Sequence, residues 1–183
     1  MEYDKIILGI DPGTTIMGYG IIGIQKRKAV LITLGVIDLK KFSDHYLKLQ
    51  KIFERVLSLI DNFHPDDLAI EAPFYGKNVQ SMLKLGRAQG AAISAALYRQ
   101  VPIHEYAPRK IKMAITGMGS ASKEQVAGFL KAEFNFDYSG APLDATDGLA
   151  AAVCHFYQNR FGDSGASFNS WKDFANKNPG RVK

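Results

Sequence analysis

Four carboxylates in this chain, Asp11, Glu71, Asp144 and Asp147, occupy places where acidic side chains can do chemistry. Asp11 ends the β-branched run "KIILGI" and is followed at once by Pro12-Gly13, so it lies at the C-terminal end of a predicted strand. Glu71 repeats that position near the end of "DLAIEA", which Pro73 terminates. Asp144 and Asp147 are three residues apart at the start of the helical segment "DATDGLAAAVCHFYQNR" and project from one face about a turn apart. Acids in a first helical turn can serve only the helix dipole and the cap. Asp11 and Glu71 weigh against that bland reading, because an open α/β sheet builds its site at the carboxyl ends of strands. Four converging like charges raise one another's pKa and destabilise the site unless a cation neutralises them. Mg²⁺ is a hard ion that takes oxygen ligands while keeping water and phosphate contacts. Two such ions roughly 3.5 to 4 Å apart can assist in-line hydrolysis of a phosphodiester. The chemistry expected is metal-dependent cleavage of a nucleic-acid backbone.

Specific elements must hold these acids in place. Residues 5–10, 17–24 and 29–37 are three strand-like runs, and the polar "QKRK" between the last two reads as a hairpin connection, so an antiparallel meander is expected. After Ser43 or Asp44, either a good N-cap, Leu49, Ile52, Phe53, Val56 and Ile60 follow the helical period until Pro65. Residues 67–72 form a fourth strand. The segment "NVQSMLKLGRAQGAAISAALYRQ" forms a long helix in which Gly86, Gly90 and Ser94, four residues apart, point to close approach of another backbone. A fifth strand over 101–106, helices near 108–115 and 122–133, the irregular "FNFDYSGAPL" and a last helix complete the order.

With 183 residues, 46% of them hydrophobic, the chain supports one α/β domain over residues 1–160, followed by a basic, flexible tail over 161–183 in which Trp171 carries no assigned function. No apolar run is long enough to span a membrane and no secretory leader pattern opens the chain, so a soluble, cytoplasmic protein is expected. The lone Cys154 reads as a buried structural thiol, and His155, about 12 Å along the helix from Asp147, as packed or hydrogen-bonded. The net charge is +5, and between residues 84 and 131 eight basic side chains face only Glu105 and Glu124. That local excess leaves a polyanionic partner open.

The motifs "GIDPGTTIMGYG", "IEAPFYGKNVQSMLKLGRAQG", "YAPRKIKMAITGMGSASKEQV" and "DATDGLAAAVCH" occur in this order and in register over about residues 4 to 160. Together they closely resemble the bacterial Holliday-junction resolvases of the RuvC family. The resemblance implies an RNase H-like fold with a mixed five-stranded sheet flanked by helices. It also implies a homodimer that nicks a four-way DNA junction symmetrically in recombination and repair. Asp11, Glu71, Asp144 and Asp147 fall on the family's acidic positions, which implies that they ligate Mg²⁺, two ions per subunit, with Mn²⁺ as a substitute. Phe74 resembles the aromatic that stacks on an unpaired base near the junction centre, a role Tyr75 could share. Lys112 and Lys123 resemble the family's basic residues beside the scissile phosphate. Lys77, Arg87, Arg109 and Lys110 are further candidates for the DNA surface, and Gln80 and Ser81 could face it too. The branch-migration proteins RuvA and RuvB are implied as partners.

Three other readings compete. A sugar-kinase-like ATPase also uses a Gly-Thr-Thr turn, but needs a second such loop that this chain lacks. A non-catalytic binding protein of the same fold would have lost an acid, and all four are present. A related nuclease acting on other branched DNA or on RNA–DNA hybrids shares the fold, which by itself does not set the substrate.

Overall fold

Residues 2–73, 78–136 and 143–162 are described by the computed structural model of the chain. The meander forms as expected: β1 (Lys5–Asp11), β2 (Ile16–Gln25) and β3 (Lys28–Asp38) pair antiparallel. Then come α1 (His45–Phe63), β4 (Asp67–Glu71), α2 (Val79–Tyr98), β5 (Ile103–Tyr106), α3 (Pro108–Thr116), α4 (Lys123–Phe134) and α5 (Leu143–Gly162). The strand order is β3-β2-β1-β4-β5, with β4 parallel to both neighbours. Parallel neighbours need a crossover, and α1 and α2 supply the two that are required. The sheet is therefore mixed and five-stranded, flanked by helices on both faces.

The period of two along each strand sorts its side chains between two cores. Leu8, Ile10, Leu68 and Ile70 pack with Ile52 and Val56 of α1 and the alanines of α2. Ile7 and Ala69 face the other way, against Leu149, Val153 and Phe156 of α5. On that second face the odd-numbered residues of β1 and β4 line up, from Lys5 and Asp67 at one end of the sheet to Asp11 and Glu71 at the other.

Glycines let α5 lie directly on the sheet. A Cβ on Gly9 would come 2.2 Å from the Gly148 carbonyl oxygen, and one on Gly18 would come 1.8 Å from that of Asp144. Only glycine allows a strand and a helix backbone to touch in this way.

Local signals set the helix ends. Asp44 caps α1 through Tyr46 N–H, and His64 closes that helix in the left-handed region at φ 47° just before Pro65. α4 begins with a reciprocal capping box between Ser122 and Gln125.

The small-residue stripe meets no other backbone among the described residues. Among the described residues nothing comes within 4 Å of a Cβ placed on Gly86 or Gly90, and Ser94 Oγ donates back to the Gly90 carbonyl at 2.8 Å. Among the described residues the stripe is an open face of α2. β5 is also shorter than residues 101–106, because Pro102 cannot donate and its carbonyl instead accepts from Leu68 N–H. α5 runs on through Gly162, and residues 163–183 lie outside the described part. No described helix is long and apolar enough to cross a membrane.

Candidate active site

The four acids meet. One carboxylate oxygen from each of Asp11, Asp144 and Asp147 can be chosen so that all lie within 4.8 Å of one another, and Glu71 lines the same cleft of about 240 Å³ as Asp11 and Asp147. The acids are delivered in two pairs, each by its own local device. β1 and β4 run parallel in register, so Asp11 and Glu71 emerge at the same end of the sheet. The turn after Asp11 is tight enough that a Cβ on Gly13 would collide with the Ile16 carbonyl, and Lys48 Nζ clamps it by donating to the Thr14 carbonyl at 3.0 Å. Asp144 and Asp147 come from the first turn of α5, which the glycine contacts press against β1 and β2.

Crowding of these charges shows in their titration. Burial first, then the fields of Glu71 and Asp147, push Asp11 up to about 8. Burial and Asp147 push Glu71 up to about 7. Asp147 is raised by burial as well, although Lys123 pulls it down. The opposing charge comes from Lys123, whose Nζ lies 2.5 Å from Asp147 Oδ2 and 3.8 Å from Asp144 Oδ1. Burial works against its ammonium, but the Asp147 hydrogen bond and the fields of Asp147, Asp11 and Asp144 together hold its pKa above the usual value. A lysine at the first position of a helix opposes the dipole. Its placement at the start of α4 is repaid by the acids it meets, and it marks a site where local preference yields to function.

An all-oxygen donor set of this density fits a hard divalent ion. Asp11, Glu71, Asp144 and Asp147 are the side chains that would hold it.

The candidate basic residues divide. Lys112 and Lys123 line the cleft beside the acids. Arg109 borders an adjoining depression with Lys112 and packs along Gly119. Lys110 lies over the Tyr106 ring, 5.2 Å from its centre. Arg87 is exposed on the outer face of α2, in a shallow apolar depression with Val79 and Leu83 and away from the acids. Gln80 and Ser81 are exposed at the start of α2. Phe74, Tyr75 and Lys77 lie outside the described residues.

Residues 7–155 match the family profile "Crossover junction endodeoxyribonuclease RuvC". The chain belongs to the RuvC family. Its relatives include a RuvC from Bacteroides fragilis, 62% identical over 98% of this chain and 97% of that protein, and one from Christiangramia forsetii, 57% identical over 100% and 95%. Among solved structures, the T. thermophilus RuvC in complex with Holliday junction substrate superposes with a TM-score of 0.79 at 31% identity, covering 86% of this chain and 96% of the other. The RuvC-type fold expected from the motifs is therefore present.

One contributor to this RuvC site escaped the sequence reading. Gln89 of α2, buried, donates at 3.3 Å to the Glu71 carbonyl and at 3.3 Å to Glu105 Oε2, tying the ends of β4 and β5 to the helix. A glutamine amid the apolar residues of a long helix was the available signal, since a buried amide must find partners. Cys154 is buried with burial raising its thiol to about 11, and His155 is buried and hydrogen-bonded, both as expected.

Proposed function

We propose that this protein is a structure-selective endonuclease that resolves Holliday junctions in homologous recombination and repair by paired, symmetric hydrolytic nicks. The convergence of Asp11, Glu71, Asp144 and Asp147 at one end of the sheet, beside Lys112 and Lys123, carries the reading. In it, the four acids hold Mg²⁺, two ions per subunit, and Mn²⁺ substitutes. Bound there, such ions supply Lewis-acid activation of water and stabilisation of charge on the leaving oxygen. The protein's own part is placement and charge. Asp11 and Glu71 are fixed by parallel strand ends and Asp144 and Asp147 by the seat of α5, while the two lysines offer positive charge to a phosphate that builds up negative charge as it is attacked.

Phe74 is proposed to stack on an unpaired base at the junction centre, a contact worth about 1 to 3 kcal/mol and indifferent to base identity. Lys77, Arg109 and Lys110 bind phosphates and position the duplex arms without reading sequence. Arg87, on the outer face of α2, contributes there only through a DNA path that reaches that side. Residues 1–160 form the nuclease domain and 161–183 a basic tail. Two subunits are required for symmetric nicking, and the open face of α2 suits their contact. Val79 and Leu83 are 65% and 52% exposed there, beside glycines that leave room for a second backbone. The enzyme works in the cytoplasm with the branch-migration proteins RuvA and RuvB.

The test compares nicking of a mobile four-way junction, plain duplex, other branched DNA and an RNA–DNA hybrid, each with Mg²⁺ and with chelator. Mg²⁺-dependent paired nicks confined to the four-way junction are expected. Equal cutting of plain duplex, or cutting that survives chelation, would sink the proposal, and preference for the hybrid would favour a different nuclease of the same fold. Asp11→Asn is expected to abolish nicking while leaving junction binding nearly intact, measured by gel shift; loss of both would make Asp11 structural.

A further inference from the structure

The sheet face that carries the acids has a second polar cluster at its opposite end. Lys5 begins β1, Asp67 begins β4, and His104 lies near the start of β5. His155 meets them from α5, eight residues and about 12 Å of helix beyond Asp147. Ile7, Gly9 and Ala69 lie between the two clusters, beneath the apolar side chains of α5. Asp67 is the hub. His155 Nε2 lies 3.0 Å from its Oδ2 and His104 Nε2 3.2 Å from its Oδ1, and the two imidazoles stack with centres 4.2 Å apart. One ligand atom from each of the three residues falls within 4.8 Å of the other two. Lys5 Nζ also pairs with Asp67 Oδ2.

We propose that Asp67, His104 and His155 form a second cation site, separate from the four-acid cleft, which takes a divalent transition ion of the Zn²⁺ class in exchange for the Lys5 ammonium.

The donor set argues for that ion class. Two imidazoles and one carboxylate suit Zn²⁺ and its neighbours, whereas Mg²⁺ selects oxygen alone. Ligand atoms about 2.0 to 2.1 Å from a tetrahedral ion stand roughly 3.4 Å apart. The 3.0 Å from His155 to Asp67 Oδ2 and the 3.2 Å from His104 to Asp67 Oδ1 are each near that figure, on the two different oxygens of the one carboxylate. Three protein ligands leave a fourth position, and access to it comes from the side of His104, which is 41% exposed while His155 and Asp67 are 1% and 7% exposed. His155 also has the outer hydrogen bond that orients a metal-binding imidazole: its Nδ1 lies 2.6 Å from the buried Tyr106 hydroxyl. In the ion-free protein Nε2–H donates to Asp67 Oδ2 and Nδ1 accepts from the Tyr106 hydroxyl; an ion would take Nε2 in place of that proton, and Nδ1–H would then donate to the Tyr106 oxygen. Lys5 is the competitor. Its side chain is 36% exposed and can turn to solvent when a dication arrives. The bound ion would link β4, β5 and the second half of α5, so its effect is on stability and not on bond cleavage.

The test uses the full chain in saturating Mg²⁺, which occupies the acidic cleft, and titrates Zn²⁺ by calorimetry and by competition with a chromophoric chelator. One Zn²⁺ per protomer and a Zn²⁺-dependent rise in melting temperature are expected. His104→Ala should weaken the affinity by about tenfold or more and remove the thermal shift, His64→Ala should change neither, and Lys5→Gln should tighten binding several-fold. Co²⁺ in the wild-type protein should give the intense visible bands of a tetrahedral site, a reading that needs no variant to fold. Absence of Zn²⁺ uptake, equal uptake by His104→Ala, or a pale octahedral Co²⁺ spectrum would each overturn the site. Unchanged affinity in Lys5→Gln would overturn the exchange.

Discussion

Asp11 and Glu71 carry pKa values near 8 and 7, well above those of the unfolded chain. A carboxylate whose folded pKa is raised makes the folded state bind more protons than the unfolded one. Stability must then fall as pH climbs from about 4 through 8. In chelator, the melting temperature is expected to decline by several degrees across that window, and added Mg²⁺ should restore it most at the alkaline end, where no proton competes for the acids. Scanning calorimetry at a series of pH values measures both; a flat chelated profile would mean that the acids are not coupled to folding. Lys123 tempers the same repulsion through Asp147 and Asp144. Replacing it with Ala is expected to slow nicking by about 10²- to 10³-fold, as removal of one transition-state charge contact does, and to move the pH–rate profile upward. A rate change with no movement of the profile would separate its charge effect on the acids from its contact with phosphate.

At the scale of elements, the seat of α5 decides whether two of the four acids reach the other two. Gly9→Ala drives a methyl into the Gly148 carbonyl and Ala152 N–H. Its cost is expected to be at least about 1 to 3 kcal/mol, read from denaturant midpoints, with nicking lost even where the chain still folds. Gly86→Ala, on the open face of α2, is expected to stabilise an isolated subunit by about 0.5 to 1 kcal/mol. The sequence made the strands and helices legible because their signals are local: Asp44 before an apolar period, Pro65 after it, Asp11 and Glu71 before turns. The convergence of the acids was legible only as a consequence of strand ends and of the family motifs. The triad around Asp67 was not legible, because it joins residues up to 88 apart through sheet register and helix phase. The stripe of Gly86, Gly90 and Ser94 was legible as a packing surface but not as to its occupant. Small residues state that a backbone can approach, and do not say whether it belongs to the same molecule.

For the whole molecule, the exposed Val79 and Leu83 beside Gly86 are where the proposed dimer would pair two active sites. Leu83→Asp is expected to give a monomer by light scattering and to turn coupled nicks into single, uncoordinated ones. A dimer that survives both Leu83→Asp and Gly86→Ala would place the contact elsewhere. The order in which the acids occur along the chain has a different consequence. β1 cannot pair with β4 until α1 has been made, and the cleft lacks half of its ligands until α5 has been laid across Gly9, Gly18 and Gly20. A ribosome must therefore complete nearly the whole domain before the four acids can meet. On the proposed function, nascent chains and fragments broken off before α5 are expected to leave DNA uncut.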